Sequence, residues 1–175
     1  MTAPQKPDTR RLGKGMTIAA WIILLVLLTL FFSHALDRQR NPNQAVFSRL
    51  NDAGTQEVLL KRNRFGHYIS SGEVNGQTVE FMLDTGASDV AIPATLADEL
   101  GLKRGRPVQY QTANGIVTAY RTTLDSVSIG PMIVRNVPAS INPGMHDMEI
   151  LLGMSVLKHV EFTQRGDTLI LRPYE

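Results

Sequence analysis

The sequence predicts an all-β domain, a compact closed sheet or sandwich, carried behind a single N-terminal transmembrane helix. Three observations predict it: one long uncharged apolar run near the N-terminus, about ten short strand-like segments from Val58 onward, and two Asn-Gly pairs set between such segments.

Met16 to Phe32 is almost wholly apolar, and extension to Leu36 makes 21 residues without a formal charge apart from neutral His34. At about 1.5 Å per residue, a helix of that length covers the roughly 30 Å hydrocarbon core of a bilayer. Lys6, Arg10, Arg11 and Lys14 precede the run, and Arg38 and Arg40 follow it. The positive-inside bias then keeps residues 1–15 in the cytoplasm and exports the rest. Ser33 and Ala35 also fit a signal-peptidase site, with cleavage after Ala35. The run exceeds the usual signal-peptide core of about 7–15 residues, so a retained anchor over 16–36 is expected. Both readings export the domain. A buried core helix is not expected, because the run lacks a polar stripe to face water.

Residues 37–57 read as a linker: they are polar, with Asn41-Pro42 and Gly54 as breakers and a short helical turn expected at 45–50. The basicity of the chain sits at this end. Residues 1–57 carry seven Lys/Arg and four acids, whereas residues 58–175 carry eleven and twelve. The domain is thus near neutral, and a nucleic-acid-binding face is not supported. The absence of cysteine excludes disulfides, thiol nucleophiles and Cys-based zinc sites.

The strands follow in order. Arg64–Val74 and Gln77–Leu83 flank Asn75-Gly76, a two-residue hairpin signal, because a type I′ turn needs φ > 0 at both positions. Asp89–Ile92 is a further short strand. Pro93–Leu100 reads as a helix, with Pro93 in the first turn, Leu96 and Leu100 on one face and Gly101 as the stop. Val108–Ala113 and Ile116–Thr123 flank Asn114-Gly115, a second hairpin. Asp125–Ile129 and Met132–Ile141 are separated by Gly130-Pro131, and a loop then reaches Met148. Glu149–Leu152 is a short apolar strand, Gly153–His159 a helix, and Val160–Thr163 with Thr168–Leu171 a last hairpin.

The informative stretch is Gln77 to Ser88 (QTVEFMLDTGAS). A strand ending in two apolar residues delivers Asp84 into a tight turn, where a carboxylate can be held accurately. Gly86 permits backbone geometry that other residues resist, and Thr85 and Ser88 offer hydroxyls to the turn or the carboxylate. Asp-Thr-Gly alone also fits a plain Asx turn. Elsewhere the chemistry is sparse. His34, His67, His146 and His159 show no metal-ligand spacing, so no metal site is expected, and His159 reads as partly buried. Ser88 lacks the frame of a serine nucleophile, and the glycines form no phosphate-binding pattern. Asp98 and Glu99 read as a solvated helix face, and Asp147 and Glu149 as loop charges.

Asn75 to Ser88 (NGQTVEFMLDTGAS) resembles the active-site region of retropepsin-like aspartic peptidases. Tyr110–Ala119 (YQTANGIVTA) resembles the flap hairpin of that family, with Asn114-Gly115 at its tip. Ile150–Met154 (ILLGM) resembles the element that precedes the last helix and braces the active-site loop. The resemblance covers about residues 62–175, and with the leading membrane segment the chain is similar to exported, membrane-tethered bacterial members. It departs from viral members, which usually carry Asp where Ser88 stands and Arg where Met154 stands.

The resemblance implies a retropepsin-like closed β-barrel with one or two short helices over residues 58–175. It implies Asp84 as catalytic carboxylate, with Thr85, Gly86, Ala87 and Ser88 supporting the loop and Leu152 and Gly153 as the brace. Asp89, Tyr110, Ala113, Asn114 and Gly115 are implied at the substrate groove and flap; Asp89 reads equally as a solvated charge at a strand end. Tyr110 and Tyr120 also read as a cross-strand packing pair. The family implies no cofactor. One Asp-Thr-Gly occurs in the chain, and the chemistry needs two carboxylates sharing a proton. The expected active species is therefore a homodimer pairing Asp84 with Asp84′, a heterodimer being the alternative, and acting on exported proteins from the bacterial inner membrane. A catalytically silent peptide-binding or scaffolding relative is the competing reading.

Overall fold

The computed structural model describes residues 9–52, 54–112, 115–145 and 149–174. The chain divides into two compact units, Met1–Asp37 and Arg38–Glu175. Helix α1 spans Thr9–Arg40, and its Gly13–Arg40 portion, whose most apolar 18 residues have a mean hydropathy of 2.5, is long and apolar enough to cross a membrane. Three hydroxyls along the apolar run bond within the helix: Thr17 donates to the Gly13 carbonyl (2.9 Å), Thr29 to Leu25 (2.8 Å) and Ser33 to Leu30 (3.0 Å). Such back-bonding lets a hydroxyl reside in an apolar helix without an unpaired donor.

The second unit contains two sheets. Four strands, β1 (Phe47–Leu50), β2 (Gln56–Lys61), β10 (Val160–Arg165) and β11 (Thr168–Pro173), form a sheet in the order β1-β2-β11-β10. The other seven are β3 (Ile69–Val74), β4 (Gln77–Leu83), β5 (Val90–Pro93), β6 (Pro107–Thr112), β7 (Gly115–Ile129), β8 (Met132–Asn142) and β9 (Ile150–Leu152), in the order β3-β4-β9-β5-β8-β7-β6. A further pairing of β3 with β7 closes this sheet on itself and leaves β6 attached outside the ring. Phe81, Ile92, Leu124, Ile141, Ile150 and Leu152 fill the core and are essentially inaccessible to water. Truncation of one such side chain to alanine costs about 2–5 kcal/mol.

The local signals act as expected at the turns. Asn75 and Gly76 both take positive φ (51° and 79°) between β3 and β4. Helix α2 (Ala94–Glu99) starts after Pro93 and stops at Gly101, whose φ is +67°. Helix α3 covers only Met154–Leu157, with Gly153 as its cap.

Three expectations differ. β7 runs unbroken through Leu124, whose side chain is in the core, so the two predicted segments are one 15-residue strand. β3 begins only at Ile69, because the Asn63 side chain draws the preceding residues into a turn, accepting from the amides of Phe65 (2.9 Å) and His67 (3.0 Å). Residues 45–50, expected as a helical turn in a linker, contain strand β1, and Asn41, Asn43 and Glu57 are buried.

Glu57 belongs to a charged row that crosses the four-stranded sheet. Its carboxylate accepts from Arg172 (2.7 Å), Arg49 (3.1 Å) and Asn51 (3.3 Å), and Arg172 also lies 3.5 Å from Glu161. The hydrogen bond from Arg172 holds the Glu57 carboxyl below its ordinary 4.5; burial opposes this, and Arg49 and Asn51 add to it.

Candidate active site

β4 ends at Leu83, and Asp84 is the next residue. Strand pairing fixes both: the Leu83 amide donates to the Tyr68 carbonyl (3.0 Å) and the Asp84 amide to the Leu152 carbonyl (3.2 Å). β4 and β9 run parallel here, with Leu83 opposite Leu152. The Asp84 carboxylate is half-buried, and its Oδ1 accepts from the Gly86 amide at 2.8 Å. The Ala87 amide donates to the Asp84 carbonyl (3.2 Å), which closes the turn. Oδ2 makes no hydrogen bond among the described residues. The Asx turn is therefore present, and one carboxylate oxygen remains available.

The far side of the loop is held by α3. The amides of its first two residues have no partner within the helix. Met154 donates to the Ala87 carbonyl (2.8 Å) and Ser155 to the Ser88 carbonyl (3.0 Å), while the buried Ser155 hydroxyl accepts from the Val90 amide (3.1 Å). The loop thus caps the helix, and the helix fixes the loop. Gly153 makes this approach possible: a Cβ there would lie 2.3 Å from the Asp89 carbonyl oxygen and 2.6 Å from that of Ala87. Gly86 is not in the left-handed region; its Cβ would stand 3.2 Å from Asp84 Oδ1, so the requirement is space beside the carboxylate. Thr85 and Ser88 are exposed and their hydroxyls make no hydrogen bond among the described residues, so backbone groups hold the turn.

β6 and β7 form a hairpin with Thr112 opposite Gly115, whose φ is +109°. Ala113 and Asn114, expected at its tip, lie outside the described residues, as does Asp147. The hairpin is tied to the loop: the Tyr110 hydroxyl donates to Asp89 Oδ2 at 2.6 Å. Burial pushes the Tyr110 phenol above its ordinary 10.0, and the Asp89 carboxylate adds to this. Tyr120 lies opposite Pro107 and Ile141 and packs against the core, as a cross-strand residue does. A cavity of about 840 Å³, lined by Asp89, Lys103, Arg104, Arg121 and Asp125 among others, opens beside Asp89; Asp84 does not line it.

One reading of a single residue changes: His159 is exposed rather than partly buried. Glu149 lies in the bend before β9, where it is buried and paired with Arg40 at 2.7 Å. Ser155 escaped the sequence reading, since a serine after Gly-Met carries no spacing signal. Among the described residues, no three His, Asp or Glu side chains gather closely enough to hold a metal ion.

A closed β-barrel that presents an Asp-Thr-Gly turn at the end of β4, braced by an apolar-apolar-Gly strand, has the retropepsin-like fold. The chain belongs to the family described as "gag-polyprotein putative aspartyl protease", whose model matches residues 70–159. It is 30% identical over 175 aligned residues to an uncharacterized protein in the cobV 5′ region of Sinorhizobium sp, covering 93% of this chain and 75% of that protein. It is 38% identical over 121 residues to the uncharacterized protein RP867 of Rickettsia prowazekii (strain Madrid E), covering 66% of this chain and 51% of that protein. The chain thus spans about half the length of that second relative. Among solved structures it is similar to a retropepsin-like aspartic protease from Rickettsia conorii, with a TM-score of 0.58 and 36% identity, over 73% of this chain and 95% of that one.

Proposed function

We propose that this chain is one half of an aspartic endopeptidase anchored in the bacterial inner membrane by residues 16–36, with residues 1–15 cytoplasmic and the domain acting on exported proteins. The observation that carries the reading is the Asp84 carboxylate, held at the end of β4 by its own Oδ1, with Oδ2 making no hydrogen bond among the described residues. A lone carboxylate does not hydrolyse an amide by this chemistry; two copies related by a two-fold axis supply Asp84 and Asp84′.

Two such carboxylates about 3 Å apart share one proton. The ionised member takes a proton from a bound water as its oxygen attacks the peptide carbonyl carbon. The protonated member donates to the developing oxyanion. The C–N bond then breaks as the former base returns its proton to the leaving amine, and one hydroxyl of the tetrahedral intermediate gives its proton back to the pair. Activity follows the pH range in which the pair shares one proton. The Tyr110–Asp89 bond ties the hairpin to the loop from a position opposite Val117, toward the tip, so that substrate would be enclosed between them.

The test compares the full chain with Asp84→Asn in membranes carrying an exported-protein extract. Fragments should arise with the wild type and be absent with the variant. Identical fragments from both, or none from either across acidic to neutral pH, would favour a silent peptide-binding module.

A further inference from the structure

Residues 40–43, Arg-Asn-Pro-Asn, lie in a polar segment with the composition of a linker, yet Arg40, Asn41 and Asn43 are each bonded to the strands of the second unit. Asn41 and Asn43 are 1% and 4% exposed. The Asn43 side chain donates to the carbonyls of Lys61 (2.9 Å) and Ile69 (2.6 Å) and accepts from the Lys61 amide (2.7 Å). It therefore imitates a peptide group between β2 of the smaller sheet and β3 of the barrel. The turn that presents it is set by its own amide, which donates to Asn41 Oδ1 (2.9 Å).

Arg40 and Asn41 act on the strands that carry the active-site loop. Glu80 on β4 and Glu149 at the entry to β9 each directly precede the Phe81–Ile150 pair of two parallel strands, which sets like charges side by side. Like charges so placed oppose the pairing. Arg40 bonds Glu149 through Nε (2.8 Å) and Nη2 (2.7 Å) and stands 3.8 Å from Glu80; Asn41 donates to Glu80 (2.8 Å) and to Ser71 (3.2 Å). Four residues beyond these glutamates lie Asp84 and Gly153, the carboxylate and its brace.

We infer that Arg40 is the counter-ion that lets β4 and β9 pair, so that the segment 40–43 positions the candidate active-site loop and the catalytic unit begins at Arg40 rather than at Val58. The consequence for activity rests on the peptidase reading; the positioning does not. Arg40 is a positioning residue, since it touches neither substrate nor the reacting carboxylate.

The test is amide hydrogen exchange on the full chain in detergent, with Arg40→Met and with Arg40→Met combined with Glu149→Gln. Arg40→Met should speed exchange about tenfold in 81–90 and 150–156 while 160–173 keeps its rate. Adding Glu149→Gln removes the repulsion and should restore most of the protection. Should Arg40→Met not accumulate folded, Arg40→Lys, which keeps the charge with fewer donors, is measured the same way and should give a smaller rise in the same segments. Unchanged exchange, an even rise across the whole domain, or no recovery in the double variant overturns the inference. If the wild type cleaves nothing, the peptidase reading fails while the exchange pattern still decides this one.

Discussion

Replacement of Gly153 by alanine drives a methyl group into the back of the loop that carries Asp84. Its Cβ would start 2.3 Å from the Asp89 carbonyl oxygen and 2.6 Å from that of Ala87. Carbon–oxygen contacts settle near 3.3 Å, so the loop and α3 must separate by about 1 Å. Met154 and Ser155 now bond the loop at 2.8 and 3.0 Å. Both would stretch to nearly 4 Å, past the usual limit of about 3.2 Å. Two lost bonds at about 0.5–1.5 kcal/mol each, plus about 1–3 kcal/mol of overpacking, predict a destabilisation of about 2–6 kcal/mol. A displacement of about 1 Å at the carboxylate should also cut the cleavage rate roughly 100-fold in molecules that remain folded. Urea unfolding of the full chain in detergent measures the first quantity, and cleavage of a peptide library at saturating enzyme the second. A variant that loses less than about 1 kcal/mol and cleaves normally would refute the claim that α3 fixes this loop through close backbone approach.

Three further outcomes follow. The raised Tyr110 phenol should appear in an ultraviolet titration as an ionisation above 10.0 that Asp89→Asn moves down; because the folded value lies above 10.0, its contribution to stability holds below that pH and fades as pH rises through the folded value. For Glu57 the sign is opposite: its folded value lies below 4.5, so its contribution is complete above 4.5 and is lost as pH falls through the folded value, and urea midpoints should decline more steeply on acidification in the wild type than in Glu57→Gln. Intact-mass analysis of C-terminally tagged protein from membranes should find the chain whole, whereas a species starting at Leu36 would mark cleavage after Ala35 and contradict the retained anchor.

Where a few adjacent residues decide the geometry, the chain could be read directly. Asn75-Gly76 demands a tight reversal, Pro93 and Gly101 bound α2, and an apolar strand running into Asp-Thr-Gly places Asp84 at a strand end. The ring closure of β3 on β7 could only be inferred as a closed sheet or sandwich, since it depends on pairing between residues about 55 positions apart, which local pattern does not encode. Asn41, Asn43, Glu57 and Glu149 share one feature that local polarity does not reveal: each has partners distant in sequence that offset the cost of burial. Gly153 was recognised by resemblance, yet its physical requirement, room for two carbonyl oxygens, became visible only with the loop in place.

Pairing of Asp84 across two chains is the central claim, and subunit mixing tests it most directly. Wild-type and Asp84→Asn chains are co-reconstituted in vesicles at fixed total protein, and cleavage is followed as the wild-type fraction falls. A site built from two chains predicts activity proportional to the square of that fraction, about a quarter at equal mixing. A linear decline, about a half at equal mixing, would mean that each chain acts alone and would contradict the shared site.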